Sequence, residues 1–242
     1  AGPSLRRRWI DDALLQRHPR HDALRADLER ILKQRNALLR SAPGRLDADA
    51  AFTLDVWDQK LSDIGSRLRE AREELLDELR PALTEAYAAV ANRAVATDAS
   101  YEASWDGSLE AALAAVRDHD VRRGVSTIGP HRDEIVLTID GRPARTHASQ
   151  GEQRSLALAL RLAADRVVRT GAGTSPVLLL DDVFSELDPG RAAALLDALP
   201  DAQRLLTTAA GLPVSATPER VLTIADGTVS VVGGGAVSGE GT

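Results

Sequence analysis

The stretch Val177-Leu178-Leu179-Leu180-Asp181-Asp182 constrains this chain more than any other part of it. Four consecutive apolar residues with neither helical nor alternating periodicity read as a strand buried on both faces, the pattern of a parallel sheet. A parallel sheet needs helical crossovers, and the flanking sequence supplies them. Residues 149–169 are strongly helical, with Leu156, Leu160 and Val167 among their apolar positions. Asp188-Pro189 opens a second helix, with Asp as N-cap and Pro in the first turn. Arg204–Thr208 reads as the next strand. Strand, helix and strand in that order predict an α/β layer. The two acids close the strand at the edge where open α/β sheets carry their ligands. Carboxylates there suit Mg²⁺ shared with substrate phosphates. A strand simply leaving the core would end in the same letters.

The first half of the chain reads differently. Residues 4–40 are expected to be helical, with Leu24, Leu28, Ile31 and Leu38 on one face. Ser41–Gly44 breaks the pattern, and helix dominates again from Leu46 to Val95. There Leu61, Ile64, Leu68, Ala71 and Leu75 follow an a/d spacing. That seam is only about two heptads long, too short for a free coiled coil and suited to a helical hairpin or small bundle. Pro81 is expected to kink this run or to open a new helix. Ser108–Asp120 is a further short helix. Near Val121 the grammar changes: Ile135–Ile139 is a β-rich run followed by the turn Asp140-Gly141, and Val221–Ile224 pairs with Val229–Val232 across Asp226-Gly227. Gly171–Pro176 reads as a loop. The expected division is a helical lobe at 1–120, an α/β portion at 121–232 and a disordered Gly- and Ser-rich tail at 233–242.

Composition bounds the class. With 43% apolar and 27% charged residues, the chain reads as a soluble globular protein. No apolar run approaches the ~18 residues needed to span a bilayer, so no membrane association is expected. Ala1–Arg8 has charges with no apolar run after them, unlike a secretory leader. Zero cysteines remove disulfides and thiolate metal sites and fit a reducing cytoplasm. Zero methionines imply that further sequence precedes Ala1. The net charge of −6 is uneven: residues 1–40 carry ten Arg or Lys against five Asp or Glu, which leaves −11 for the remainder. Arg6, Arg7, Arg8, Arg17, Arg25, Lys33 and Arg35 are therefore candidate phosphate contacts, with a solvated helix face as the plainer alternative.

Two further segments stand out. Ser149-Gln150-Gly151-Glu152-Gln153 opens the long helix, where a hydroxyl and unpaired backbone N–H groups attract anions and a glycine admits a phosphate close to the backbone. Ser149 with Glu152 three residues on is equally a capping box. Phe184-Ser185-Glu186-Leu187-Asp188 follows the acidic strand end, and Thr207-Thr208 closes the next strand. In order and spacing these segments resemble the C-terminal half of ABC ATPases. Ser149–Gln153 looks like the signature motif, Val177–Asp182 like Walker B and Ser185–Asp188 like the D-loop. Within that superclass the chain is similar to the RecF family, through Ser149–Leu158, Leu180–Asp188, Gly129-Pro-His-Arg-Asp133, Gly141-Arg-Pro-Ala144 and Leu32–Leu38.

The resemblance implies an ABC-type ATPase head, incomplete here, preceded by a helical lobe. It implies a cytoplasmic, nucleoid-associated protein that dimerises on ATP, binds single-stranded and gapped duplex DNA, and works with RecO- and RecR-type mediators to load recombinase in recombinational repair and the SOS response. By the same resemblance Asp181 would position Mg²⁺ and Asp182 would occupy the place of the catalytic base. Ser149, Gln150, Gly151 and Glu152 would face the nucleotide held by the opposite protomer. Asp188 would act across the interface. Thr208 or Thr207, at a strand end, could sense the terminal phosphate, with two ordinary β-branched strand residues as the plainer alternative. His131, Arg132 and Asp133 would touch DNA or nucleotide, or else form a surface turn with a local Arg–Asp pair.

One element of an ATP site is missing from the sequence. A phosphate loop ends in Gly-Lys, whereas Lys33 follows Leu32 and Lys60 follows Gln59. The chain by itself is therefore expected neither to bind ATP tightly nor to hydrolyse it. Asp at 182 and Thr at 207–208, with no imidazole, predict slow hydrolysis even in a complete protein. The rival readings are an SMC-type head fragment, disfavoured by the short heptad run, a non-catalytic DNA- or partner-binding scaffold, and a metal-dependent hydrolase built on Asp181 and Asp182, for which further ligands are missing.

Overall fold

The structure, a computed structural model, describes residues 2–41, 44–172, 177–185, 187–209 and 211–232. Of the loop expected at 171–176, Gly171 and Ala172 belong instead to the last helix turn before it, and 173–176 lie outside the described residues, as does the tail expected at 233–242. Three helices come first: α1 (Pro3–Arg17), α2 (Arg20–Ser41) and α3 (Ala48–Ala91). A three-stranded antiparallel sheet follows, built from β1 (Thr97–Glu102), β2 (Glu134–Ile139) and β3 (Arg142–Pro143), with α4 (Leu109–Arg123) between β1 and β2. After the short α5 (Ala144–His147) come α6 (Gln150–Ala172), β4 (Leu178–Asp181), α7 (Pro189–Ala198) and β5 (Arg204–Thr207). β4 and β5 are parallel, with Asp181 opposite Thr207. The hairpin β6 (Val221–Ala225) and β7 (Thr228–Val232) completes the fold. The mixed α/β class expected from the sequence is the one observed.

Local chemistry explains most boundaries. Asp47 caps α3 by accepting the Ala50 N–H at 2.8 Å, and Ser108 does the same for α4 from Ala111. Asn92 ends α3 in the left-handed region at φ 48°. Two expectations are corrected. Residues 4–40 are not one helix, because His18 is extended before Pro19, whose ring disfavours helical backbone at the preceding residue. Pro81 neither breaks α3 nor opens another helix. Interior proline costs about 3 kcal/mol, but Leu76, Leu79 and Leu83 around it are fully buried, and each such burial contributes about 1.5–3 kcal/mol. Strand β1 was missing from the sequence reading, because Thr97-Asp-Ala-Ser-Tyr-Glu102 has little apolar alternation. It forms by pairing residue for residue with β2.

The main apolar core runs from Ile10 in α1 through α3 and the first sheet to Val167 in α6. A second core joins Val90, Leu162, Leu180, Phe184 and Leu195, and so fixes β4 and α7 on the end of α3 and the middle of α6. Among the described residues no helix is long and apolar enough to cross a membrane.

Two arginines are buried inside this architecture. Arg35 is 0% exposed and donates to Asp58 at 2.6 Å, Asp120 at 2.7 Å and the Ser126 hydroxyl at 2.8 Å. Asp120 in turn accepts from the Thr127 N–H, and Asn36 accepts from the Ser126 N–H. Arg72 grips both oxygens of Asp11 and donates to the Pro130 carbonyl and the Tyr101 hydroxyl. One ties α2 to α3 and α4, and the other ties α3 to α1 and the 129–133 loop. Replacing Arg35 with Met strands Asp120, itself 0% exposed, so a loss of about 3–5 kcal/mol in urea unfolding is expected, against less than about 0.5 kcal/mol for the exposed Arg30→Ala. Equal midpoints for the two variants would refute this account.

The 129–133 loop is sealed by the same network. Asp133 is buried and takes hydrogen bonds from the Tyr101 hydroxyl and the Ser104 N–H, while Arg7 donates to its carbonyl. Arg132 donates to the Ser126 carbonyl and Asp133 is buried, so the alternative of a surface turn with a local Arg–Asp pair is not what forms there. Burial lowers the His131 imidazole to about 4, and the nearby arginines add to the effect. Once unfolded the ring protonates near its ordinary value of about 6.5. The unfolded chain therefore binds the extra proton between those values, and stability falls as pH drops from about 6.5 to 4, by at most about 3 kcal/mol. Asp58, Asp133 and Asp165 are raised by burial, so their contribution runs the other way and is lost as pH rises. Comparison with His131→Gln cancels it. The urea midpoint of the parent should fall more steeply than that of the variant between pH 6.5 and 5, and parallel curves would exclude the imidazole as the cause.

Candidate functional site

Three short segments carry the expected site residues, on elements that share the second core. The first is the start of α6. Ser149 and Glu152 form the capping box: the Ser149 N–H and hydroxyl both donate to the Glu152 carboxylate at 2.9 Å, and the Ser149 hydroxyl accepts the Glu152 N–H at 3.2 Å. Those hydrogen bonds hold the Glu152 carboxyl below the usual carboxylate range, with Arg93 and Arg191 adding to the effect. Gln150 is exposed beside it, and Gln153 reaches back to the Ala148 carbonyl at 3.0 Å.

The second segment is the end of β4. Asp181 accepts a short hydrogen bond from the Thr207 hydroxyl on the neighbouring strand. Asp182 leaves the strand at φ 48°, a left-handed conformation that L residues seldom adopt. It is held there because its N–H donates to the Thr207 carbonyl at 3.0 Å and Ser185 donates to its own carbonyl at 3.0 Å. Phe184, 7% exposed, anchors the turn in the second core. Both carboxylates are exposed at the strand end.

The third segment is the start of α7. Asp188 caps it, accepting the Arg191 N–H at 2.9 Å, and Gly190 leaves room for that carboxylate: a Cβ there would lie 3.3 Å from Asp188 Oδ1. Arg191 also reaches the first segment, its Nη1 3.4 Å from where a Cβ on Gly151 would lie. The signature-like helix start and the start of α7 are therefore neighbours, and α7 follows the acidic strand end in the chain. Sequence reasoning missed both Arg191 and Arg93, which lies 3.8 Å from Glu152. The D-x-x-R spacing in the first turn of α7 was the available signal for Arg191.

The remaining expectations fare unevenly. Thr207, not Thr208, touches the acids; the Thr208 hydroxyl donates to the Gly211 carbonyl at 3.1 Å. Glu186 lies outside the described residues. Strand β4 is not buried on both faces. Leu180 is 4% exposed, but Leu179 is 67% and Val177 50%, and Leu205 on β5 is 53%. α6 and α7 cover one face, and no described element covers the other. Among the seven basic candidates, Arg35 is corrected outright, since its guanidinium is enclosed and committed to two carboxylates. Arg6 pairs with Glu134 at 2.6 Å, Arg17 with Glu78 at 2.7 Å and Arg25 with Asp12 at 3.2 Å, while Arg7 donates to Asp133 O. Arg8 is 76% exposed and Lys33 is also exposed. The described residues hold no group of three or more His, Asp or Glu that would bind a metal alone.

The Ser149 box has a measurable cost of removal. Ser149→Ala deletes one cap and frees Glu152, so a loss of about 1 kcal/mol in thermal or urea unfolding is expected. No loss would show that the hydrogen bonds at the α6 start are not formed in solution.

No protein-family profile matches the chain. Curated proteins do. The DNA replication and repair protein RecF of Frankia alni is 43% identical over 226 residues, covering 86% of this chain and 60% of the relative. Its counterparts in Renibacterium salmoninarum and Paenarthrobacter aurescens are 39% and 40% identical, and the chain covers 67% and 68% of them. The chain thus spans about 60–68% of the length of these relatives. A solved structure of the recombination mediator protein RecF, described as RecF-ATP in the RecFOR pathway, matches 96% of this chain and 64% of its own with a TM-score of 0.82 at 26% identity. A second, described as RecF-ATPrS, matches with the same TM-score at 24% identity.

Proposed function

The chain belongs to the RecF family of DNA replication and repair proteins, and from that premise we propose that it supplies the signature and Walker B side of an ATP-dependent dimer clamp on DNA. The observation that carries this reading is the approach of the α7 start, at Asp188 and Arg191, to the α6 start at Gly151 and Glu152, on a core shared with the strand that ends in Asp181 and Asp182. Phosphate-facing donors and hard carboxylates together are what a nucleoside triphosphate needs from a facing protomer. The phosphate loop is absent from these residues, so the nucleotide is held mainly by chain outside them. The uncovered apolar face of β4 and β5 is where that further part of the head would pack.

Asp181 fits Mg²⁺ as a single ligand: it is a carboxylate at the strand end, oriented by Thr207. The rest of the shell would come from phosphates, water and another segment. When bound, the ion would neutralise charge on the phosphates. Asp182 stands in the position to orient a water. Its short side chain, with a threonine rather than an imidazole beside it, supports slow hydrolysis, so ATP acts chiefly as a clamp. In this reading residues 121–232 form the nucleotide-facing portion, and residues 1–120, helical apart from β1, brace it through the shared core. DNA at gaps and mediators of the RecO and RecR kind would be its partners in recombinase loading. Arg8 and Lys33 are the first DNA contacts to test.

The test uses the full-length protein. Ser149→Arg places a bulky cation where the facing phosphate would arrive, and it should abolish ATP-dependent dimerisation in light scattering while each protomer still binds labelled ATP. Dimerisation that persists would sink the assignment. Charge reversal of Arg8 and Lys33 should flatten the dependence of log affinity for gapped DNA on log salt by about 0.9 per lost contact. An unchanged slope would clear both residues of phosphate contact.

A further inference from the structure

We infer that Arg191 is a positioning residue of this site: a strap between the start of α7 and the start of α6 that makes the D-loop and the signature one rigid unit. The inference rests on the nucleotide-site reading above and adds a residue to it. Asp188 takes Arg191 at two points. Its Oδ1 accepts the backbone N–H at 2.9 Å, and its Oδ2 lies 3.4 Å from the guanidinium Nε. Gly190 permits that fold-back, since a Cβ there would crowd Asp188 Oδ1 at 3.3 Å. With Nε held, the far edge of the planar guanidinium extends over the first turn of α6. Nη1 comes within 3.4 Å of the position a Cβ on Gly151 would occupy. Any longer side chain at 151 would have to displace it.

The charge arrangement agrees with the geometry. Glu152 feels both Arg93 and Arg191, so the α6 start is flanked by cations drawn from two other elements. The two helices also share the second core, at Leu162, Leu180, Ala192 and Leu195. The strap adds a polar link that sets the α6 start against Asp188. It also gives Asp188 a task inside its own protomer, in addition to any contact across an interface. Lysine could not do the same, because a point charge cannot hold Asp188 along one edge and cover Gly151 with the other.

The experiment measures ATP-dependent dimerisation of the full-length protein by light scattering, with Ser149→Arg as the reference for the site itself. Arg191→Ala should raise the ATP concentration at half-dimerisation by a few-fold, up to about fivefold, the effect of one partly exposed ion pair. Arg191→Lys should fail to rescue it. Asp188→Asn should give a similar shift, and the double variant should be no worse than either single one, because both act through one strap. The melting temperature should move by less than about 3 °C, since Arg191 is partly exposed and holds no core. If Ser149→Arg abolishes dimerisation while Arg191→Ala leaves the half-point unchanged, or if the Arg191 and Asp188 effects add, the strap is overturned and the site stands. If Ser149→Arg has no effect either, the site reading itself fails. A half-point that shifts only in step with a large drop in melting temperature would make Arg191 a stability residue and overturn the inference too.

Discussion

The buried guanidinium of Arg35 is the constraint on which the helical part depends. An arginine with no solvent contact is tolerable only if nearly all its charge is answered. Here Asp58 comes from α3, Asp120 from the last turn of α4 and Ser126 from the loop beyond. The charge therefore dictates where three separate elements meet. Arg72 plays the same part between α1, α3 and the 129–133 loop. Such networks contribute less net stability than an apolar core of the same volume would. What they impose is register, because a slide of one turn along α3 would part Arg35 from Asp58 and Arg72 from Asp11.

That rigid platform positions the candidate site. α6 lies along α3, and its first turn emerges beside α7 because the second core clamps Leu162 and Leu180 together with Leu195 and Phe184. The left-handed backbone at Asp182 is a local cost the sheet sustains through two hydrogen bonds to Thr207. It turns the second acid away from the line of the strand while the first stays in register. Strain of this kind at a strand end is more common in sites that bind or react than in plain connections.

The open face of β4 and β5 has a different meaning. Leu179 and Leu205 sit side by side in register and are both largely exposed. Alternation along a strand sends Leu180 to the α6–α7 side and its neighbours to the other. An apolar face of this kind marks a packing surface rather than a solvent one. This agrees with a family whose members are longer than this chain.

Local patterns were legible in the sequence because they are local. The caps at Ser149 and Asp188, the turns at Asp140-Gly141 and Asp226-Gly227, and the helix–strand–helix–strand order around Asp181 all follow from side chains within a few residues of one another. The motif order around Ser149, Asp181 and Asp188 identified the family for the same reason. Only the tertiary structure decided what depends on distant partners. β1 exists because β2 pairs with it, and Pro81 stays helical because three leucines around it are buried. Arg35 looked like a surface cation until Asp58 and Asp120, 23 and 85 residues away, enclosed it. Arg191 reaches Gly151 only because a shared core sets their helices side by side. Charge and polarity are written in the sequence, but whether a charge meets water, a carboxylate or a phosphate is settled by which segments fold against it.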